Sequence, residues 1–235
     1  MIFVYDFDGT LTPHSLPQYE ILKNCGYGYT EKLLKRVEEE MEKNSISLYE
    51  SYYKCYISIL NENGISISTS NICLGADRTE LNAGVEEYFK SFQSSKTGVK
   101  HYIVTAGLKE YVDRTIIRKY VDATYGVTLK EEGDTVRVDF LLTDVEKVSI
   151  IKEIQKNNNG TNDIVYFGDG LTDNFAFQYV HSIGGKNILV ANNKFTDTSM
   201  DTYRKINKDG IIDKYFEADF SAEISDFIKK QIELI

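Results

Sequence analysis

Strand-like runs alternating with helical periods are the feature that constrains this chain most. "IFVY" from Ile2, "HYIVTAG" from His101, "DIVYFGDG" from Asp163 and "NILVAN" from Asn187 are short and rich in β-branched and aromatic residues. Each closes on small or polar residues, and the stretches between them repeat apolar side chains at three- and four-residue spacing. Parallel strands need long crossovers, usually helices, so the pattern predicts an α/β fold: a mostly parallel sheet covered by helices. Ligands of such sheets bind beyond the carboxyl ends of the strands.

Between the first and second runs the chain is helical in character. Leu33, Leu34, Val37 and Met41 follow Thr30, an expected N-cap. Leu48, Tyr52, Tyr56 and Ile59 give a second stripe, and Leu81, Val85, Tyr88 and Phe92 a third. Only "GISIS", Gly64 to Ser68, is ambiguous between strand and loop. This stretch is too long for a simple crossover. It predicts an inserted, mainly helical cap domain over 13–92, set on a core domain made of 1–12 and 93–235. In that core "LKEYVDRTIIRKY" is expected as one helix, and "ATYGV" and "TVRVDF" as short strands about a turn at Glu132-Gly133-Asp134. Thr143 and Glu146 have capping-box spacing at the head of another helix, and 222–235 reads as a closing helix.

The first run ends in "DFDGT", where Asp6 and Asp8 flank Phe7. Period-two geometry sends both carboxylates to one side while the chain stays extended. Two like charges so placed repel unless a cation or a proton lies between them. The motif therefore asks for a metal, an acid–base pair, or both. Further strand ends carry Thr105, then Asp169 and Asp173 in "GDGLTD", while Lys147 lies in the first turn of its helix. Each has a plain alternative: a turn for the DxD or the GDG, a structural strand-end Thr, a solvated surface Lys. Their shared location at one end of a parallel sheet sets them apart.

Composition narrows the classes of partner. A net charge of −9 disfavours nucleic acid, whose phosphates need a basic surface, and also anionic membranes. Any phosphate must then be held by a metal and a few local cations. Cys25, Cys55 and Cys73 form no CxxC pair and read as reduced residues of a cytoplasmic protein. Asp6 and Asp8 break the only apolar stretch near the amino terminus, which argues against a secretory signal. No run is long enough to span a membrane. His14, His101 and His181 lack partners at metal-ligand spacing, which disfavours zinc.

The ordered set resembles the haloacid dehalogenase (HAD) superfamily of phosphohydrolases. "DFDGT" matches its first motif, "IVTAG" its second, Lys147 its third and "GDGLTD" its fourth. The helical insert and "ELNAGVEEYFKSF" are similar to the phosphoserine-phosphatase-like branch with a C1-type cap. The resemblance implies a Rossmann-like core and a Mg²⁺-dependent phosphatase of a small phosphomonoester. Asp6 would be nucleophile and metal ligand, and Asp8 would be proton shuttle, giving the metal its backbone carbonyl. Asp169 would complete the protein ligands, and Asp173 would hold a water on the metal. Thr105, Ala106, Gly107 and Lys147 would bind the phosphoryl group, with the following helix pointing its positive end there.

Gly9 and Thr172 depart from the phosphoserine branch, which often has Ser and Asn at these positions, so the substrate stays open. Glu20, Arg36 and Arg78 are the charges available for a substrate clamp, against the simpler role of a solvated helix face. Seven cap tyrosines, Tyr19, Tyr27, Tyr29, Tyr49, Tyr52, Tyr53 and Tyr56, either line an aromatic pocket or pack with hydroxyls in solvent. Other functions compatible with this set are a phosphotransferase of the same fold, a silent phosphate-binding protein, and a phospho-acceptor signalling domain. The last lacks both an acidic loop after its lysine and a helical insert after its first strand.

Overall fold

The structure, a computed structural model, describes residues 1–13, 19–28, 31–93, 98–132, 135–191, 200–221 and 223–233. The Thr30 cap, His14, Tyr29, the centre of the turn at Gly133-Asp134 and the stretch beginning at Asn192 lie outside the described residues.

Among the described residues the sheet has seven strands: β1 (Ile2–Tyr5), β2 (Lys100–Leu108), β3 (Ala123–Glu132), β4 (Thr135–Phe140), β5 (Ile164–Gly168), β6 (Lys186–Ala191) and β7 (Lys214–Glu217). Their spatial order is β4-β3-β2-β1-β5-β6-β7, parallel throughout except for β4, which runs antiparallel to β3. The helices are α1 (Glu20–Asn24), α2 (Glu31–Asn44), α3 (Leu48–Glu62), α4 (Thr69–Ile72), α5 (Val85–Gln93), α6 (Lys109–Val112), α7 (Asp144–Asn157), α8 (Asn174–Ser182), α9 (Met200–Ile206) and α10 (Glu223–Glu233). This is the α/β sandwich that the alternation predicts.

Strand β1 shows why the sheet is buried on both sides. Ile2 and Val4 belong to one apolar cluster, Phe3 and Tyr5 to the other, and all four are shut from solvent. Burying each such side chain contributes about 1.5–3 kcal/mol. The first cluster continues into Ile150, Ile151 and Ile154 of α7 and Phe177 of α8, and through Tyr19, Tyr52, Tyr53 and Tyr56 into the helical insert. The second takes in Val85, Tyr88 and Phe89 of α5 and Ile224 and Ile228 of α10. Helix α5 thus lies against the sheet rather than beside α2 and α3.

Several expectations need correction. The run after β2 is not one helix. It is the single turn α6 and a 3-10 turn over Ile116–Tyr120. Thr115 donates its hydroxyl to the Val112 carbonyl at 2.7 Å, a local bond that competes with the helical ladder. Strand β3 runs ten residues, not a short piece. "GISIS" forms no strand. Leu34 is 41% exposed, so the stripe on α2 buries only Leu33 and Val37. The capping box at Thr143 and Glu146 is formed as the spacing predicts. Among the described residues no helix is long and apolar enough to cross a membrane.

Candidate active site

Register gathers the sequence motifs. Tyr5 pairs with Ile103 of β2 and with Phe167 of β5. Asp6 and Asp8, Thr105, and Asp169 therefore emerge together where β1, β2 and β5 end. The sheet winds outward from β1 to β3 and then resumes at β5 on β1's other side. That switch point opens a crevice at the carboxyl end of the central strand.

Lys147 enters from the first turn of α7 and is 1% exposed. Its Nζ lies 3.0 Å from Asp6 Oδ1 and 2.7 Å from Asp173 Oδ1. Burial alone would lower its pKa, but Asp173 and Asp6 outweigh that and hold it well above its ordinary value.

Asp173 is fully buried and acts as a hub. Its Oδ1 also accepts from the Tyr166 hydroxyl at 2.5 Å. Its Oδ2 accepts the backbone N–H of Asp169 at 3.0 Å and of Gly170 at 3.4 Å. Tyr166 was not singled out by sequence reasoning. The available signal was a phenol within an otherwise apolar strand, because a buried hydroxyl needs a partner.

The carboxylates feel the burial. Asp6 is raised to about 7, by desolvation first, with Lys147 lowering it and Asp173 raising it. Asp8 is raised to about 8, by desolvation first and then by Asp6. Asp8 is partly exposed, where it lines a cavity. Burial thus raises both adjoining acids above the ordinary carboxylate range.

Thr105 donates to Asp8 Oδ2 at 3.3 Å and accepts the Gly107 N–H at 2.9 Å. Strand β2 changes register between Val104 and Leu108, which takes Thr105, Ala106 and Gly107 out of the regular ladder. The Tyr53 hydroxyl donates to the Ala106 carbonyl at 2.8 Å, and the Leu108 N–H donates to the Tyr19 hydroxyl at 3.0 Å. These insert tyrosines are packed, as their apolar bodies require, but their hydroxyls tie the insert to this loop rather than reach solvent. Helix α6 is one turn long, so the expected positive helix end reduces to a few backbone N–H groups.

Oxygens of Asp6, Asp169 and Asp173 lie within 4.8 Å of one another. Gly9, at φ +87°, has no Cβ, and one there would overlap the Asp169 carboxylate. An all-oxygen donor set with more negative charge than Lys147 balances fits a hard divalent cation such as Mg²⁺. Since four donors already converge on Asp173, Asp6 and Asp169 are the carboxylates best suited to touch the ion.

Beside Asp8 lies a cavity of about 190 Å³ lined by Tyr19, Glu20, Lys23, Arg78, Glu80 and Tyr111, among others. Arg78 and Glu20 pair across it at 2.8 Å. Gly75, at φ +83°, leaves room for Glu20. Arg36 is elsewhere, joining α2 to Glu62 and Ser58 of α3. His101 is buried against Tyr5, and His181 is exposed; neither lies in the site.

No family model matches the chain, and no curated protein matches it. Solved structures do. A HAD family hydrolase from Salmonella enterica serovar Typhi superposes with a TM-score of 0.69 at 14% identity, covering 95% of this chain and 70% of that one. A phosphoserine phosphatase in a phospho-aspartyl intermediate analogue form gives 0.65 at 19% identity, and a substrate-bound phosphoserine phosphatase complex gives 0.66 at 19%. Both comparisons cover 97% of each chain. The fold is that of HAD-type hydrolases. Three phosphoserine phosphatase structures match it over 97% of their own length.

Proposed function

We propose that the protein is a Mg²⁺-dependent phosphatase acting on a small phosphomonoester through an aspartyl phosphate on Asp6. The observation that carries this is the convergence of Asp6, Asp8, Thr105, Lys147 and Asp169 at the carboxyl end of β1 in a HAD fold. Residues 13–92 form the insert on a core of 1–12 with 93–235; its α1 to α4 serve as the cap, while α5 packs against the core sheet. The cavity admits a small polar leaving group, and the net charge of −9 disfavours nucleic acid as substrate. The three free cysteines fit a cytoplasmic setting.

Asp6, Asp169 and the Asp8 carbonyl would hold Mg²⁺, which when bound neutralises charge on Asp6 and on the phosphoryl group. The Asp6 carboxylate attacks phosphorus, and the bond from phosphorus to the leaving oxygen breaks. Asp8, whose pKa burial and the Asp6 charge raise, gives its proton to that oxygen. The Asp8 carboxylate then takes a proton from water as it attacks phosphorus, the Asp6–phosphorus bond breaks, and Asp6 is regenerated. Lys147 offsets charge on the nucleophile and the phosphoryl oxygens. Thr105 and the N–H groups of Ala106 and Gly107 turn from their present partners to the phosphoryl group. Asp173 positions Lys147 and the loop that carries Asp169.

Hydrolysis of an aryl phosphate, with and without Mg²⁺, tests the proposal against Asp6→Asn. Turnover that needs both the metal and Asp6 is expected. Wild-type rates in Asp6→Asn would refute the mechanism.

A further inference from the structure

Helix α3 carries a polar group toward the phosphoryl end of the site. Tyr49 and Tyr53 stand one turn apart and share a face of the helix. Tyr53 fixes where that face points, because its hydroxyl is bonded to the Ala106 carbonyl. One turn earlier, the Tyr49 hydroxyl is buried and makes no hydrogen bond among the described residues. The charges acting on it are Lys147 foremost, then Asp6, Asp173 and Asp144, the first three being the cluster at the end of β1. The capping box of Ser47 and Glu50 holds this first turn of α3 in place.

A buried hydroxyl left unpaired is unfavourable, and native structures rarely keep one without a reason. An acceptor that arrives with the substrate supplies the reason, and phosphoryl oxygens are strong acceptors. We propose that the Tyr49 hydroxyl donates a hydrogen bond from the cap to a phosphoryl oxygen held beside Asp6 and Lys147. This rests on the phosphatase proposal and adds a catalytic contact made only when α3 lies over the site. Tyr56 provides the contrast. Its hydroxyl is also buried without a partner among the described residues, but the ionisable groups acting on it are Cys73 and Cys25 rather than the cluster of Lys147, Asp6 and Asp173.

The test compares wild type, Tyr49→Phe and Tyr56→Phe in three measurements: aryl phosphate hydrolysis with Mg²⁺, inorganic phosphate binding, and thermal stability. Tyr49→Phe should lower kcat/KM by about ten- to a hundred-fold and weaken phosphate binding in step, as loss of a bond to a charged group requires. Its melting temperature should stay level or rise, because the deleted hydroxyl has no partner among the described residues of the free protein. Tyr56→Phe should keep kcat/KM within about twofold. Tyr49→Phe that turns over and binds phosphate like wild type overturns the contact while leaving the phosphatase proposal intact. Wild type that binds phosphate yet hydrolyses nothing refutes the phosphatase proposal, and phosphate affinity alone then decides on Tyr49. Wild type that does neither refutes both.

Discussion

Replacing Asp173 by Asn probes the hub beneath the site. Four donors converge on this carboxylate: Lys147 Nζ, the Tyr166 hydroxyl, and the N–H groups of Asp169 and Gly170. An amide offers one acceptor and one donating NH₂, so one pair of donors must face another donor. Tyr166 can rotate its hydroxyl and accept, but Lys147 and the two backbone N–H groups cannot. Breaking a buried ion pair by removing one partner costs about 3–5 kcal/mol. Relief of repulsion with Asp6, whose oxygen lies within 4.8 Å, offsets part of this. A net loss of about 3 kcal/mol corresponds to a melting temperature roughly 6–12 °C lower for a chain of this size. The assay is thermal unfolding of both proteins in chelator, so that metal binding does not contribute. A melting temperature within about 2 °C of wild type would refute the hub argument.

Two pH dependences follow from the buried titrating groups. Burial lowers His101 to about 4, against an ordinary 6.5, and its folded state is therefore neutral across that interval while the unfolded chain takes up a proton. At roughly 1.4 kcal/mol per pH unit, about 3 kcal/mol is present above pH 6.5 and lost by pH 4, a loss that His101→Gln should largely abolish in denaturant titrations. Asp8, raised to about 8, must be protonated to assist departure, so alkyl phosphate turnover should fall above that pH. A nitrophenyl ester, whose leaving group needs no proton, should show a weaker alkaline limb in the same pH–rate measurement; identical limbs would contradict the role of Asp8.

The central sheet was legible because both faces are buried, so β1, β2, β5 and β6 read as largely apolar runs. Edge strand β7 was missed: "KYFE" is four residues long with exposed ends and carries no alternation. Helix α9 also escaped notice, being a short polar segment. The third apolar stripe of the insert forms a helix from Val85 onward, with Leu81 outside it, and a stripe does not say which surface it meets. Val85, Tyr88 and Phe89 turned out to cover the sheet. The break after α6 came from a Thr hydroxyl bonding locally, an effect that apolar periodicity does not register. For the site, types and order of residues revealed the acids, Thr105 and Lys147. Tyr166 and the ties from Tyr19 and Tyr53 needed coordinates, because their partners are far apart in sequence.

Acid-quenching the protein during turnover of a phosphomonoester with Mg²⁺, then mapping covalent phosphate, tests the central claim most directly. The account predicts phosphate on the peptide that carries Asp6, and none in Asp6→Asn. Steady turnover by wild type with no phosphorylated Asp6 at any quench time, or phosphate mapped to another residue, would contradict it.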